Sequence, residues 1–426
     1  MIQRTAQFPA SDQRDRPPEG GGAAPEAFNS PLPASALNIE VKCRSNLFPW
    51  RGQFSPQLVE TLLRAYAAPG STVLDPFMGS GTVLVEAARL GLAAYGYEVN
   101  PAAYLLGRVY ELCIFTEAER RALLDSAETV LIRARPSAFE LPLFRLETTG
   151  APRAGNDSKW IPETLDPRAR MLLEALVVLL DDDSAADASF TSKWSIIRTV
   201  VAGLPYSTHA VDASLGDARA LSLPDDSIDF VLTSPPYINV FNYHHNSRAG
   251  IESLGWLPLV VARSEIGSNR KFRQNRFCTV VQYCIDMALV LAELRRVCTP
   301  EARVVLILGR ESNVHKTAFY NGEILKRLAT DVVGMRLHLK QERVFLNRFG
   351  QSIYEDLLHL TPERDPSLAK VDIVERARSV GREALVAALD RTPSDRRHYL
   401  HDAIAESAGI EASPILDPAA ANGGSR

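Results

Sequence analysis

Short apolar runs alternate with segments of helical spacing through the middle of the chain. The apolar runs that have the length of buried strands lie at 72–74, 94–97, 230–232 and 303–308. This alternation is typical of an open, largely parallel sheet that is covered by helices. Two later runs, at 337–346 and 354–360, have the spacing of an antiparallel pair that closes such a sheet. The pattern therefore predicts an α/β fold.

Longer helical patterns interrupt and follow the predicted sheet. Helical spacing is present at 117–135, 168–180 and 192–204. Because these segments fall between two strands of the sheet, we predict a helical insertion. A further helical pair is predicted at about 368–408, after the last strand.

Both ends of the chain lack a hydrophobic period. Residues 1–45 are rich in Pro and Gly, and residues 412–426 end in small and polar side chains. Such segments bury too little apolar surface to offset the entropy cost of ordering. We therefore predict a disordered leader and a disordered tail.

Composition limits the class of protein. The 426 residues are 46% hydrophobic, enough for a large core, and no apolar run reaches the roughly 18 residues of a membrane span. The amino terminus lacks a signal-peptide pattern, and the five cysteines form no CxxC pair. We expect a soluble, cytoplasmic protein. With a net charge of −4, any contact with nucleic acid must come from a local basic patch.

A glycine-rich turn follows the first predicted strand. Residues 73–82 have the sequence VLDPFMGSGT and lead into a helical pattern. The two glycines let the backbone turn tightly and expose amides to a ligand at a helix N-terminus. A P-loop would need a lysine after the turn, and a dinucleotide fingerprint would need a glycine in place of Leu84. The loop favours S-adenosylmethionine over NAD, with candidate cofactor contacts at Asp75, Gly79, Ser80, Gly81 and Thr82.

Acidic residues follow two later strands. Glu98 ends the second predicted strand just before Asn100, which begins a helix, so its carboxylate can accept hydrogen bonds from both ribose hydroxyls. Asp217 and Ala218 lie in the loop after the third strand, where Asp217 would accept from the adenine amino group. A surface glutamate and an acidic turn are the alternative interpretations.

The most informative segment has the sequence TSPPY and occupies 233–237. A base amine is a poor nucleophile because its lone pair is delocalised into the ring. Acceptors on its N–H groups draw the nitrogen toward tetrahedral geometry, and the Ser234 hydroxyl and Pro235 carbonyl could supply them. Pro236 further stiffens the turn, and Tyr237 offers a flat face for a base taken out of the duplex. A rigid strand-to-loop turn is the structural alternative.

Together, 75–82 and 233–237 resemble the amino-methyltransferases of DNA, which methylate cytosine N4 or adenine N6. The serine form of the tetrapeptide is similar to the cytosine-N4 branch, whereas adenine enzymes usually carry Asp or Asn at that position. Residues 48–56 are similar to the segment that covers the methionine end of the cofactor in this family. The resemblance implies that Phe54 and Ser55 contact the cofactor and that Phe77 packs on its adenine.

The resemblance covers about 46–110 and 212–360, and it implies a Rossmann-like class I methyltransferase sheet with a helical insertion and C-terminal helices. The predicted divisions are a disordered leader (1–45), a cofactor-binding half (46–116), the helical insertion (117–205), a catalytic half (206–362), C-terminal helices (363–411) and a disordered tail (412–426).

Other chemistries lack the residues they need. Methylation at cytosine carbon 5 uses a cysteine nucleophile, typically after a proline, and no cysteine in this chain follows a proline. The histidines, including His244 and His245, lack metal-ligand spacing, so we expect no metal.

A basic segment follows the tetrapeptide. Within fourteen residues its net charge is +4, with five cations at Arg263, Arg270, Lys271, Arg273 and Arg276. Because phosphate neutralisation dominates affinity for nucleic acids, we predict a DNA contact here, with a solvated loop as the alternative. Arg343 and Arg348 are weaker candidates.

These features predict a site-specific DNA methyltransferase that transfers a methyl group from S-adenosylmethionine to N4 of a cytosine flipped out of double-stranded DNA. The alternatives are an adenine-N6 DNA methyltransferase, an RNA base amino-methyltransferase and a catalytically silent binding module. The implied setting is the bacterial cytoplasm, at the nucleoid, with double-stranded DNA as partner and no membrane. A cognate restriction endonuclease is a candidate partner that the sequence does not decide.

Overall fold

Seven strands form one sheet in the computed structural model, in the order β3-β2-β1-β4-β5-β9-β8. Its strands are β1 (Thr72–Asp75), β2 (Ala93–Glu98), β3 (Val211–Leu215), β4 (Ile228–Thr233), β5 (Cys298–Gly309), β8 (Met335–Leu346) and β9 (Ser352–Pro362). Between β5 and β8 in the sequence, a separate hairpin comprises β6 (Glu311–Val314) and β7 (Thr317–Tyr320). The structure describes residues 30–41, 43–50, 52–138, 160–180, 186–239, 247–268, 271–347, 349–363 and 372–422.

Strand direction shows at which edge of the sheet a ligand is expected to bind. β1, β2, β3, β4 and β5 pair in parallel, β9 is antiparallel to β5, and β8 is antiparallel to β9. The strand order reverses between β1 and β4. In open α/β sheets ligands bind beyond the carboxyl ends of the strands at such a reversal. This arrangement confirms the predicted Rossmann-like class I sheet with its antiparallel closing pair.

Helices cover both faces of the sheet and form the predicted insertion. They are α1 (Ala34–Asn38), α2 (Pro56–Tyr66), α3 (Thr82–Arg89), α4 (Pro101–Gly107), α5 (Glu117–Ala138), α6 (Pro167–Leu180), α7 (Ala186–Ala202), α8 (Arg248–Ser253), α9 (Pro258–Val261), α10 (Cys278–Val297), α11 (Asn321–Arg327), α12 (Ile373–Val386), α13 (Arg397–Glu406) and α14 (Pro418–Ala421). A 3-10 segment, Arg108–Ile114, links α4 to α5, and a π-helical turn, Leu328–Val333, continues α11.

Burial explains why these segments form their elements. The central strands are covered on both faces, and the apolar side chains of Val73, Leu74 and Val231 are fully buried. The insertion helix α6 has buried side chains around most of its circumference, which is typical of a helix enclosed by others. It packs against α4, α5 and α7 and so joins the insertion to the main core.

The predicted disordered leader is ordered in its described part, 30–41 and 43–45. Helix α1 lies against β8, where Leu37 is buried and the Asn38 Oδ1 accepts a hydrogen bond from the Val344 amide at 2.9 Å. The prediction is wrong there because one helical turn is too short to show a hydrophobic period.

The predicted disordered tail is also ordered, over 412–422. Ser413 and Leu416 are buried, and the Leu257 amide donates to the carbonyl of Ala421 at 2.9 Å. The hydrogen bonds that order this segment run to residues more than a hundred positions earlier, so the local sequence does not indicate them.

Candidate active site

A cavity of about 220 Å³ lies beyond the carboxyl ends of β1, β2, β3 and β4. All four residues of the tetrapeptide line it: Ser234, Pro235, Pro236 and Tyr237. It is also lined by most of the predicted cofactor residues: Phe54, Asp75, Phe77, Gly79, Ser80, Thr82, Glu98, Asn100, Asp217 and Ala218. Ser55 and Gly81 are outside the lining; Ser55 precedes α2 and Gly81 precedes α3. The cavity therefore joins the two motifs that lie about 150 residues apart in the sequence.

The glycine loop needs glycine at Gly81 for two reasons. Its φ of +88° lies in the left-handed region, and a Cβ atom there would come within 2.7 Å of the Tyr110 ring. Gly79 also has a positive φ, of +53°, but a Cβ at that position would meet nothing within 4 Å. The loop can thus bring backbone amides to the cavity while α3 packs closely behind it.

Glu98 ties the glycine loop to the end of β2. Its Oε2 accepts from the Gly79 amide at 2.9 Å, and its Oε1 accepts from the Asn100 amide at 2.8 Å. Two backbone amides thus orient this carboxylate, which lines the cavity. This geometry fits the predicted contact with ribose hydroxyls.

Asn100 offers an independent sign that a polar ligand belongs here. The side chain is 6% exposed, and its Oδ1 caps α4 by accepting from the Ala102 amide at 2.9 Å. Its Nδ2 is buried and has no hydrogen-bond partner among the described residues. Buried polar groups in native proteins are nearly always paired, and this cavity-lining amide would gain a partner from a bound ligand.

Asp75 is a buried carboxylate that lines the same side of the cavity as the glycine loop and Glu98. We call this side the cofactor-side wall. Its Oδ1 accepts from the Thr233 hydroxyl at 2.7 Å and from the Phe77 amide at 3.1 Å. Burial raises the pKa of Asp75 to about 7, because removal from water disfavours the charged form. Asp75 and Thr233 end the neighbouring strands β1 and β4, so this bond joins the cofactor motif to the residue before the tetrapeptide.

Asp217 lines the cavity, but the structure corrects its predicted contact with adenine. Its Oδ1 accepts from the Arg219 amide at 3.0 Å and from the Arg219 Nε at 2.9 Å. Its Oδ2 accepts from the Arg219 Nη2 at 2.6 Å and from the Leu416 amide at 3.0 Å. These four donors occupy both oxygens, so Asp217 holds the protein together and has no spare acceptor for an adenine amino group.

The tetrapeptide is fixed from behind by residues outside any motif. The buried Tyr283 hydroxyl donates to the Pro236 carbonyl at 3.0 Å. A Cβ at Gly309 would lie 3.1 Å from the Tyr237 ring, and one at Gly267 would clash with the Tyr237 carbonyl oxygen. Sequence analysis did not find Tyr283 or Gly309, since no local signal marks them.

A second wall of the cavity was not predicted. It consists of Ser264, Glu265, Ile266 and Ser268, at the start of the basic segment. Trp50 and Gln53 also line the cavity, and Gln53 Nε2 donates to the Phe48 carbonyl at 3.0 Å and to the Ser80 hydroxyl. The family resemblance indicates the segment 48–56 as a whole, but it does not mark Trp50 or Gln53.

Arg219 links this second wall to the C-terminal segment. Its Nη1 donates to Asp286 Oδ1 at 2.7 Å and to the Ser413 carbonyl at 2.8 Å, and its Nη2 donates to the Ser264 carbonyl at 3.2 Å. The side chains of Arg219 and Asp286 are fully buried. The Ser413 amide and hydroxyl both donate to Asp286, at 2.8 and 2.5 Å. This buried ionic cluster holds the wall in place.

The basic segment is not the uniform surface that its sequence suggests. Lys271 is half-buried and donates to the Glu265 carbonyl at 3.1 Å and to the Ser413 hydroxyl. Burial lowers the pKa of Lys271 to about 8. The prediction that Lys271 faces phosphates is therefore wrong, because its ammonium group is used inside the fold.

The remaining cations differ in their surroundings. Arg263 and Arg273 are exposed, whereas Arg276 is half-buried, and Arg270 lies outside the described residues. Arg276 lies close enough to His315 to lower its pKa, although burial is the larger cause. Of the weaker candidates, Arg343 is paired with Glu355 at 2.6 Å, which corrects its predicted DNA contact, and Arg348 lies outside the described residues.

Two other features are absent from the described part of the chain. Among the residues that the structure describes, no group of three His, Cys, Asp or Glu side chains could hold a metal ion. Within the same residues, no helix is both long and apolar enough to cross a membrane.

The segment that contains the glycine loop is similar to proteins that are described as DNA methylases or type II methyltransferases. A DNA methylase family model matches residues 23–107. The resemblance to DNA amino-methyltransferases is thus confirmed. M.MjaII, a type II methyltransferase of Methanocaldococcus jannaschii, is 40% identical to this chain over 79 residues, which are 18% of the chain and 15% of M.MjaII. M.BsoBI of Geobacillus stearothermophilus, also a type II methyltransferase, is 32% identical over 125 residues, which are 29% of this chain and 24% of M.BsoBI.

The chain matches less than a quarter of the length of either methyltransferase. Among solved structures, a SAM-dependent methyltransferase of Methanosarcina mazei is 13% identical with a TM-score of 0.34, covering 71% of this chain and 98% of that one. A similarity of that size supports no conclusion about the site.

Proposed function

We propose that this protein transfers a methyl group from S-adenosylmethionine to an exocyclic amino group of a base in DNA, and that the target is cytosine N4. The observation that carries the proposal is that Ser234 to Tyr237 line the same cavity as the glycine loop and Glu98. One cavity thus holds both the residues suited to the cofactor and the residues suited to a base amine.

The wall of the cavity formed by the glycine loop and the end of β2 has the groups that S-adenosylmethionine requires. Glu98 would accept from the ribose hydroxyls, and the buried Nδ2 of Asn100 would donate to an acceptor on the ligand. Phe54 and Phe77 supply apolar surface, with Phe77 for the adenine ring. When bound, the cofactor supplies a methyl group on a positively charged sulfur. The ammonium group of the cofactor would be stabilised by an ionised Asp75 and would lower the pKa of that carboxyl.

The tetrapeptide has the groups that a base amine requires. The hydroxyl of Ser234 and the carbonyl of Pro235 would accept the two N–H bonds and direct the nitrogen lone pair toward the methyl donor. Tyr237 would stack on the extruded base, and its backing by Gly267 and Gly309 holds it in place before the base arrives. Acceptors that are fixed in advance need no reorganisation when the bond forms, which is the main source of electrostatic catalysis.

Serine at the first position of the tetrapeptide supports cytosine over adenine. A test is to incubate the full chain with labelled S-adenosylmethionine and mixed duplex DNA, digest the DNA to nucleosides and identify the product by mass spectrometry. N4-methylcytosine is the expected product. N6-methyladenine would move the target to adenine, and label in RNA but not in DNA would overturn the DNA assignment.

We further propose that Arg263, Arg273 and Arg276 contact the DNA backbone. Arg263 and Arg273 are exposed and flank the cavity-lining residues 264–268. Removal of one arginine–phosphate interaction should flatten the salt dependence of DNA binding by roughly 0.9 in log–log slope. Single alanine variants measured at several salt concentrations would show this change. A cytoplasmic setting and a partner restriction endonuclease remain predictions.

A further inference from the structure

The β8–β9 hairpin projects beyond the edge of the sheet where the parallel strands have their carboxyl ends, the carboxyl edge. β5 ends at Gly309, which lies against the Tyr237 ring, and Gly309 pairs with Glu355 of β9. The hairpin continues past this pair for three more residues of β9, from Tyr354 to Ser352. At ~3.4 Å per residue, these carry the hairpin ~10 Å beyond the carboxyl edge. That length is comparable with the ~8.5 Å depth of the major groove.

Hydrogen bonds connect Asn347 to residues 349–351 in the loop at the tip of the hairpin. Asn347 Oδ1 accepts from the amides of Phe349 and Gln351 at 2.9 and 3.0 Å. The Asn347 amide donates to the Gln351 carbonyl at 2.9 Å, and the Gly350 amide donates to the Asn347 carbonyl at 3.0 Å. Asn347 thus bonds to Phe349, Gly350 and Gln351, which limits the conformational entropy that these three residues can lose when they meet a partner.

This fixed tip presents large apolar side chains to water. Phe349 is 72% exposed, Leu346 is 65% exposed and Tyr354 is 48% exposed. The Arg310 guanidinium lies 4.7 Å from the centre of the Tyr354 ring and supports its position. Leu346 and Tyr354 lie on the same face of the hairpin, because Tyr354 pairs with Val344, two residues before Leu346. Neighbouring exposed apolar side chains on an ordered element indicate a contact surface.

Two cations at the base of the hairpin are paired with carboxylates. Arg310 is 2.8 Å from Glu342, and Arg343 is 2.6 Å from Glu355. The guanidinium groups of these two cations are therefore already neutralised, whereas the side chains of Phe349 and Leu346 are largely exposed. Apolar side chains of this kind insert between base steps and unstack them.

We propose that the hairpin tip is a wedge for duplex DNA, with Phe349 inserted at a base step next to the target base. The inference rests on the proposed function, and it gives the extruded base a second support. Tyr237 would hold the base in the cavity, while Phe349 would fill the space that the base leaves in the stack. The two rings lie on the same edge of the sheet, separated by the strands β5 and β9.

The test compares paired and mismatched substrates. A duplex that wild-type protein methylates is prepared with its target base either paired or mismatched, and kcat/KM is measured for Phe349→Ala and Phe349→Trp. On the paired duplex we expect kcat/KM of Phe349→Ala to fall roughly 5- to 150-fold, the range of one base–aromatic contact. On the mismatched duplex, where the base is already unpaired, the loss should largely disappear. Phe349→Trp should retain activity on both.

A matched control is Tyr206→Ala, which removes an aromatic side chain that is 58% exposed at the opposite edge of the sheet, between α7 and β3. It should equal wild type on both duplexes. Equal activity of Phe349→Ala and wild type on the paired duplex, or an equal loss on both duplexes, would overturn the wedge. A changed oligomeric state of Phe349→Ala in light scattering without DNA would instead assign the tip to a protein contact. Wild-type protein that methylates no duplex would overturn the proposed function as well.

Discussion

The two walls of the cavity are held by different kinds of contact. In the cofactor-side wall, Glu98 accepts from the amides of Gly79 and Asn100, which lie 19 and 2 residues away in the sequence. The opposite wall, 264–268, depends on Arg219 and on a C-terminal segment that is almost 200 residues from Asp217. The carboxylates of Glu98 and Asp217 also differ in how many hydrogen bonds they accept from the protein. Each carboxylate oxygen of Glu98 accepts from one backbone amide, whereas each carboxylate oxygen of Asp217 accepts from two donors.

Loss of Arg219 should have the largest effect. Arg219→Met would leave the buried carboxylates of Asp217 and Asp286 without their cation, and breaking a buried ion pair typically lowers the free energy of unfolding by about 3–5 kcal/mol. Urea unfolding measures this change. The control is Arg198→Met, which removes a surface ion pair with Glu128 and should lower it by less than about 1 kcal/mol. Similar values for the two variants would mean that the second wall does not depend on the buried cluster.

Alanine at the two glycines tests the cofactor-side wall. Gly81→Ala combines a left-handed φ with a clash against Tyr110, so we expect the free energy of unfolding to fall by about 2–4 kcal/mol. Gly79→Ala carries the backbone strain alone and should lower it by about 1 kcal/mol. Thermal or urea unfolding of both variants gives the difference. Equal losses would show that the contact with Tyr110 relaxes without cost.

Substitution at Glu98 should weaken cofactor binding, and it also removes the acceptor of the Gly79 and Asn100 amides. A carboxylate that accepts from ribose hydroxyls contributes about 2–3 kcal/mol, so Glu98→Ala should bind S-adenosylmethionine at least ten-fold more weakly in calorimetry. Asp217→Asn is the comparison, because its oxygens already serve Arg219 and Leu416. It should lower stability more than affinity. The reverse outcome would return the ligand role to Asp217.

Tyr237 distinguishes base contacts from cofactor contacts. Tyr237→Ala should lower turnover on duplex DNA by an amount equivalent to about 1–3 kcal/mol, the size of one base–aromatic contact. Affinity for S-adenosylmethionine should stay near that of wild type, because the ring is expected to serve the base. Paired measurements of steady-state turnover and calorimetric affinity test this. An equal loss of both would place Tyr237 in the cofactor pocket.

Local sequence signals predict residues whose positions depend on local geometry. Gly81 and Glu98 are recognisable because a strand, a tight turn and a helix follow one another within a few residues. Tyr283 and Gly309 support the tetrapeptide from distant elements, and only the folded sheet brings them together. The prediction for Lys271 is wrong for the same reason. A run of cations does not show which of them turns inward, and the Ser413 that binds it lies 142 residues away.

Asp75 gives the most specific expected effect, a pH dependence of stability. Burial raises the pKa of Asp75 in the folded protein to about 7, from 3.8, so the folded state holds this proton more tightly than the unfolded chain. The contribution of Asp75 to stability therefore falls as the pH rises from about 4 to about 7, by at most about 1.4 kcal/mol per pH unit, and is constant above that range. Asp75→Asn keeps an acceptor for Thr233 and Phe77 but has no charge to bury. In urea unfolding at pH 5.5, 6.5, 7.5 and 8.5, the stability of Asp75→Asn relative to wild type should increase up to about pH 7.5 and then level off. If the stability difference between Asp75→Asn and wild type is the same at all four pH values, the pKa of Asp75 is not raised. That result would contradict the proposal that a titratable Asp75 carboxyl interacts with the ammonium group of the cofactor.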